Sequence, residues 1–202
     1  MSKKVVYGPS MAAEMRRLWN TMEFRASRKP IAVKQAGAIA RLKDRYRAAG
    51  DPLGIPWVWI GCVHQLEAGL TFTTHLHNGD PLTGRTVHVP AGRPTATPAG
   101  GSLSYSWEES ARDALTQKGL QGFKAWDIPT MLYQWERYNG FGYRLYHEMQ
   151  TPYVWAGSNQ YTKGKYVADG KWDSEHVSKQ IGTAVLLRCL IDAGEWAAPT
   201  TV

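Results

Sequence analysis

The run Pro56-Trp57-Val58-Trp59-Ile60-Gly61-Cys62-Val63-His64-Gln65-Leu66-Glu67 limits what this chain can fold into more than any other segment. Trp59, Cys62 or Val63, and Leu66 fall at helical spacing, which predicts a short apolar helix central to the core. The segment from Asp51 to Pro56, Asp-Pro-Leu-Gly-Ile-Pro, makes a rigid turn into it. Directly afterwards, Thr71 to Pro90 reads as a β-hairpin with Asn78-Gly79-Asp80-Pro81 as its turn. One carboxyl, Glu67, is thereby expected at the end of a core helix and beside a small β element.

That position has a chemical consequence. A carboxyl at a helix C-terminus faces the negative end of the helix dipole, and apolar neighbours remove water; both oppose ionisation. A general acid working near neutral pH needs such tuning. The hairpin can add a second carboxyl, Asp80, and the hydroxyl of Thr86, and this combination points to glycoside hydrolysis. Asp80 also has a plain reading as a turn residue between Gly79 and Pro81, and Thr86 as a strand former. Thr73, His75 and His77 alternate along the first strand and share a face. Two histidines so spaced suit sugar hydrogen bonding or solvent contact better than a metal, because no third ligand accompanies them.

Composition bounds the remaining possibilities. The chain has 202 residues, 43% hydrophobic, which suits one domain with a buried core. No stretch of eighteen or more apolar residues predicts a membrane span, and Met-Ser-Lys-Lys-Val-Val at the start lacks a secretory h-region. The formal charge of +7 favours a polyanion such as nucleic acid or an anionic cell wall. Nine Trp and ten Tyr suit stacking on sugars or bases. Without an RNP-like, zinc-finger or KH signature, sugar is preferred and no nucleic acid is expected. Cys62 and Cys189 lie in apolar helical stretches and read as buried free thiols, with a disulfide between distant helices as the lesser alternative. No CxxC or HExxH is present, so no metal or other cofactor is expected.

Further helices are predicted from Met11 to about Arg25 with Ser10 as N-cap, and from Pro30 to about Ala49, stopped by Gly50. Pro90 to Ser106 reads as a long loop, a cleft edge or a surface excursion. Ser106-Trp107-Glu108-Glu109 has capping-box spacing for a helix to about Lys118, and Asp127 caps another carrying Met131, Leu132 and Trp135. Tyr138-Asn139-Gly140-Phe141-Gly142-Tyr143-Arg144 interrupts it. Pro152 to Trp172 is aromatic and Gly-rich without clear periodicity, and Ser174 is expected to cap a final helix carrying Val177, Ile181 and Val185. Asp169 and Asp173 read as turn and cap carboxylates. The expected organisation is one α+β domain over 1–202, with N-terminal helices at 1–50, the Glu67 helix and hairpin at 51–90, and a helical lobe at 106–202.

Two groups of segments carry a resemblance. His64-Gln65-Leu66-Glu67, with Phe72-Thr73-Thr74-His75-Leu76-His77-Asn78-Gly79-Asp80-Pro81-Leu82 and Arg85-Thr86-Val87-His88-Val89-Pro90, resembles phage and bacterial proteins of the lysozyme-like superfamily. Tyr138 to Arg144 and Lys165-Tyr166-Val167-Ala168-Asp169-Gly170 look like downstream motifs of the same group, and Tyr138-Asn139-Gly140 is similar to the Tyr-Asn-x-Gly element of lytic transglycosylases. The resemblance implies a lysozyme-like fold, mainly helical, with Glu67 ending a core helix opposite a small β-sheet. It also implies cleavage of the peptidoglycan glycan strand. Ala68 stands where the transglycosylases usually carry Ser. The ninth position after Glu67, where phage lysozymes place an Asp, is Leu76, and Asp80 stands thirteen positions after.

The expected activity is therefore that of a muramidase of endolysin type, a monomer made without a signal peptide and acting on the cell wall or periplasm. It would cut the β-1,4 bond between N-acetylmuramic acid and N-acetylglucosamine, with Glu67 as acid and Asp80, or a water held by Thr86, on the other face. The two alternatives are a lytic transglycosylase using Glu67 alone and a non-catalytic wall-glycan binder. Expected substrate contacts are His75, His77, Tyr138, Asn139, Tyr143, Arg144, Trp155 and Tyr166. Packing is the competing reading for the aromatics among them.

Overall fold

The computed structural model describes residues 4–102, 104–123, 125–168 and 170–199. Asp169 lies outside the described residues. In chain order the elements are α1 (Pro9–Asn20), α2 (Lys29–Arg41), α3 (Lys43–Gly50), α4 (Trp57–Ala68), α5 (Trp107–Gln117), α6 (Ile128–Asn139), α7 (Gly142–His147), α8 (Pro152–Trp155), β1 (Lys165–Ala168), β2 (Lys171–Asp173) and α9 (Thr183–Asp192). The protein is mainly helical with a two-stranded antiparallel sheet, an α+β chain. Among the described residues no helix is long and apolar enough to cross a membrane. The chain divides into two compact units, Ala38–Ala125 and Met1–Gly37 with Trp126–Val202.

In the unit Ala38–Ala125, every residue of α4 from Trp57 to His64 is buried. A helix apolar on all sides has to be surrounded, and α3 packs along it while α5 packs on α3. Gly61 makes the close approach possible. A Cβ there would run into Ile39 Cγ2 and come within 3.1 Å of the Tyr46 ring. The predicted helix from Pro30 to Ala49 is two helices, α2 and α3. At Leu42 the ladder tightens, with its N–H donating to the Ile39 carbonyl at 3.0 Å, and the turn lets Ile39 and Tyr46 both meet Gly61. The capping box of α5 is present: Glu109 N–H donates to Ser106 Oγ, and Ser106 N–H donates to Glu109 Oε2 at 2.7 Å.

The segment 71–90 departs from the expected hairpin. It holds one antiparallel bridge, Thr74 with Pro81, rather than two strands. His75 N–H donates to the Asp80 carbonyl and Leu82 N–H to that of Thr73, closing the turn. Pro81 and Pro90 have no N–H to extend a ladder. The chain instead loops back on itself, with Thr86 N–H on the Arg93 carbonyl and Gly92 N–H on that of Thr86, both at 2.7 Å. The sheet lies elsewhere, in β1 and β2, where Lys165 pairs with Asp173 and Tyr166 with Trp172.

In the other unit α1 packs against α6, and α6 and α9 both meet α8. Met15, Leu18 and Trp19 form the buried stripe of α1. Its N-cap is Gly8 rather than Ser10, because Pro9 takes the first helical turn, and it ends at Asn20. Asp127 caps α6 as predicted, its carboxylate accepting from Thr130 N–H at 3.0 Å. The last helix begins at Thr183, not near Ser174. The Asp173 carboxylate accepts from the N–H groups of Glu175 and His176, turning the chain there, and Val177 is left 54% exposed. Cys62 and Cys189 are both buried, and neither is in a disulfide.

Gly61→Ala is expected to cost about 1–3 kcal/mol by overpacking α4 against Ile39 and Tyr46. Urea unfolding of the variant reads this directly as a lowered midpoint with an unchanged slope.

Candidate functional site

Glu67 lies in the last turn of α4 and is exposed, so the helix surfaces where this carboxyl stands. The apolar burial expected of this carboxyl is absent, because its side chain is exposed. The backbone reverses immediately. Gly69 takes the left-handed conformation (φ 55°) and its N–H donates back into α4, a Gly C-cap. Leu70 is also left-handed (φ 65°), an uncommon and costly conformation for a side chain of its size.

His64 holds this reversal. Its main-chain carbonyl accepts from Leu70 N–H, and its ring Nε2 lies 3.0 Å from the Thr71 carbonyl. A carbonyl only accepts, so Nε2 carries the proton and Nδ1 accepts from the Tyr46 hydroxyl at 3.1 Å. Burial pushes the Tyr46 pKa up, keeping that hydroxyl a donor, and pushes His64 down to about 4, keeping its ring neutral. Phe72 and Trp107 enclose the imidazole with ring centroids 4.6 Å away. Arg45 covers Phe72 at 3.8 Å and binds Glu108 through two nitrogens. These contacts position the chain that leaves Glu67.

The loop after it is bolted to α5 by two histidines. His75, 1% exposed, has Nδ1 2.7 Å from Ser110 Oγ and Nε2 2.7 Å from the Gly84 carbonyl. His77 Nε2 lies 2.7 Å from Asp113, which also takes a bidentate pair from Arg93. Burial lowers the His77 pKa, and the bond to Asp113 opposes it. The alternation expected here fails: His75 and Leu76 are both buried, the His77 side chain is enclosed with them, and Thr73 is exposed, so neither histidine ring is offered to a sugar. Among the described residues no group of His, Cys, Asp and Glu gathers to hold a metal ion.

Asp80 and Thr86 are likewise occupied. Asp80 is 6% exposed. Its Oδ1 binds His88 Nδ1 at 2.6 Å, while Oδ2 accepts from the N–H groups of Val87 and His88 and from Asn78 Nδ2. The His88 side-chain bond, then the main-chain donors, hold the carboxyl well below the usual Asp range. The Thr86 hydroxyl donates to the Pro90 carbonyl and accepts from Arg93 N–H at 2.9 Å. Both side chains organise the loop, and neither is presented as a catalytic partner of Glu67.

The other predicted contacts lie in the second unit. Asn139, Tyr143 and Tyr166 line a cavity of about 320 Å³ together with Tyr153, Lys165 and Gln180. Tyr143, its pKa raised by burial, accepts from Tyr166 N–H, and the Tyr166 hydroxyl lies 2.9 Å from His147 Nε2. Tyr138 is half-buried near the end of α6. Two expectations fail here. Trp155 is 0% exposed and packs in the core, with no face for a sugar. Arg144 is clamped by bidentate Glu136, itself 1% exposed, and by Glu14, so it joins α7 to α6 and α1 rather than reaching a ligand.

Set against protein-family models, curated proteins and solved structures, the chain matches none.

Chemically, the unit Ala38–Ala125 offers one exposed carboxyl whose backbone is fixed by a neutral histidine. Sequence reasoning passed over Ser110, Asp113, His88 and Arg93, which tie the loop. Ser110 and Asp113 are three apart on α5, a spacing visible beforehand, but nothing local pairs them with His75 and His77.

The neutral His64 makes stability pH-dependent. Its folded pKa lies below the ordinary 6.5, so between pH 6.5 and about 4 the unfolded chain binds a proton that the folded one does not. Stability is full above that window and falls through it, by about 3 kcal/mol from this group. His77 acts with the same sign. Urea unfolding at successive pH values is expected to show the loss, and His64→Gln to flatten it.

Proposed function

We propose that this chain cleaves the glycan strand of peptidoglycan and belongs with the lysozyme-like enzymes, with Glu67 protonating the glycosidic oxygen of the N-acetylmuramic acid β-1,4-N-acetylglucosamine link. One observation carries the reading: an exposed carboxyl on the last turn of a helix that is wholly buried from Trp57 to His64, with His64 fixing the chain beyond it. Strained backbone at Leu70 fits a functional position, since such strain concentrates at active sites. The +7 charge would hold the protein on an anionic wall.

The commitments of Asp80 and Thr86 favour the route that needs a single carboxylate. Glu67 gives its proton to the leaving oxygen as the C1–O bond breaks. The carboxylate then takes the proton of the muramyl 6-hydroxyl, whose oxygen closes on C1 to give a 1,6-anhydro end. If water enters instead, the same carboxylate deprotonates it and a reducing end forms.

Mass spectrometry of purified peptidoglycan after incubation distinguishes these routes. Anhydromuropeptides are expected from the wild type, with Glu67→Gln lowering product release by roughly 10²–10⁴-fold. Asp80→Asn is expected to keep most turnover per folded molecule. Reducing muropeptides with Asp80→Asn inactive would restore a two-carboxylate muramidase. No release by the wild type would overturn the enzymatic reading and leave glycan binding without turnover.

A further inference from the structure

A second cavity in the unit Met1–Gly37 with Trp126–Val202, of about 390 Å³, has a chemistry that glycan cleavage does not use. Arg25, Arg28 and Lys179 line it with the hydroxyl-bearing Ser27 and Thr162 and with Tyr161, whose own hydroxyl is already given to the Gly164 carbonyl, and no lining residue is acidic. Each guanidinium is pinned by one edge to main-chain carbonyls. Arg25 donates from Nε to Ser158 at 3.1 Å and from Nη2 to Tyr161 at 2.7 Å. Arg28 donates from Nη2 to Lys179 and, at 3.1 Å, to Gln180. Carbonyls orient these planar groups without neutralising them. Among the described residues neither arginine, nor Lys179, makes an ion pair.

The surroundings reinforce the sign. α2 starts at Lys29, directly after this arginine turn, and carries no acidic residue in its first turn, so its partial positive end is uncompensated. Arg25, Ser27, Thr162 and Lys179 are exposed, and the cavity opens to solvent through them. A carboxylate, with two oxygens, would leave part of this donor set unused. A phosphate presents more acceptor oxygens, suited to the outer N–H groups of two fixed guanidiniums, an ammonium and the hydroxyls of Ser27 and Thr162.

We propose that this pocket binds a phosphate group, either free or as a phosphodiester within an anionic polyol-phosphate polymer. Binding here is independent of glycan cleavage and is read without it. Calorimetric titration of the full chain at low salt, with inorganic phosphate and with a glycerol-phosphate oligomer, is the test. Saturable one-site binding is expected. Arg28→Gln should weaken it about tenfold, the scale of a lost charge-assisted hydrogen bond. Lys179→Gln should weaken it about threefold, the scale of an exposed charge contact. Acetate at the same concentration should not compete. An oligomer at least tenfold tighter than inorganic phosphate identifies the polymer as the ligand, and equal affinity identifies the free ion. Should Arg28→Gln fail to fold, Lys179→Gln decides, because the Lys179 side chain is exposed and makes no ion pair. Binding that does not saturate, or that Lys179→Gln leaves unchanged, overturns the proposal.

Discussion

The burial of α4 on every side is the constraint on which the unit Ala38–Ala125 depends. A helix with no polar face cannot end in the interior without stranding its last carbonyls, so it must surface where its side chains become polar. Polar side chains come in at Gln65 and Glu67, where burial gives way to exposure, and the reversal at Gly69 and Leu70 closes the helix there. His64 is the last wholly buried position, and its ring satisfies the chain just beyond the exit. Burial of the helix and placement of the exposed carboxyl are therefore one event.

Much of this was legible in the sequence because local rules decide it. The apolar run, the Ser106–Glu109 box and the Asp127 cap each specify a helix from a few adjacent residues. The 71–90 segment shows where local rules stop. Its alternation and Asn78-Gly79 turn match a hairpin, yet prolines at 81 and 90 withhold donors, and His75 and His77 find better partners on α5 than a second strand supplies. Ser174 looked like an N-cap, but Asp173 captured the N–H groups that a helix there would have used.

The candidate site shows the same division. Glu67 could be singled out because its place at the end of an apolar run is a property of sequence. The occupation of Asp80 could not, since Val87, His88 and Asn78 reach it only after the loop has closed. A buried carboxylate surrounded by donors is stabilised as an ion, and such an environment suits holding a loop rather than exchanging a proton. Trp155 and Arg144 follow a similar logic: an aromatic and a cation that could face a ligand are used to join helices.

The division of the chain has a consequence for its synthesis. One unit is continuous from Ala38 to Ala125, while the other is assembled from residues before and after it. As the polypeptide leaves the ribosome, α1 emerges with Met15, Leu18 and Trp19 uncovered, and the helix that covers them, α6, is translated only after the whole inserted unit. The continuous unit can therefore fold first, and the N-terminal helix must wait, exposed to chaperones, for its partner to arrive.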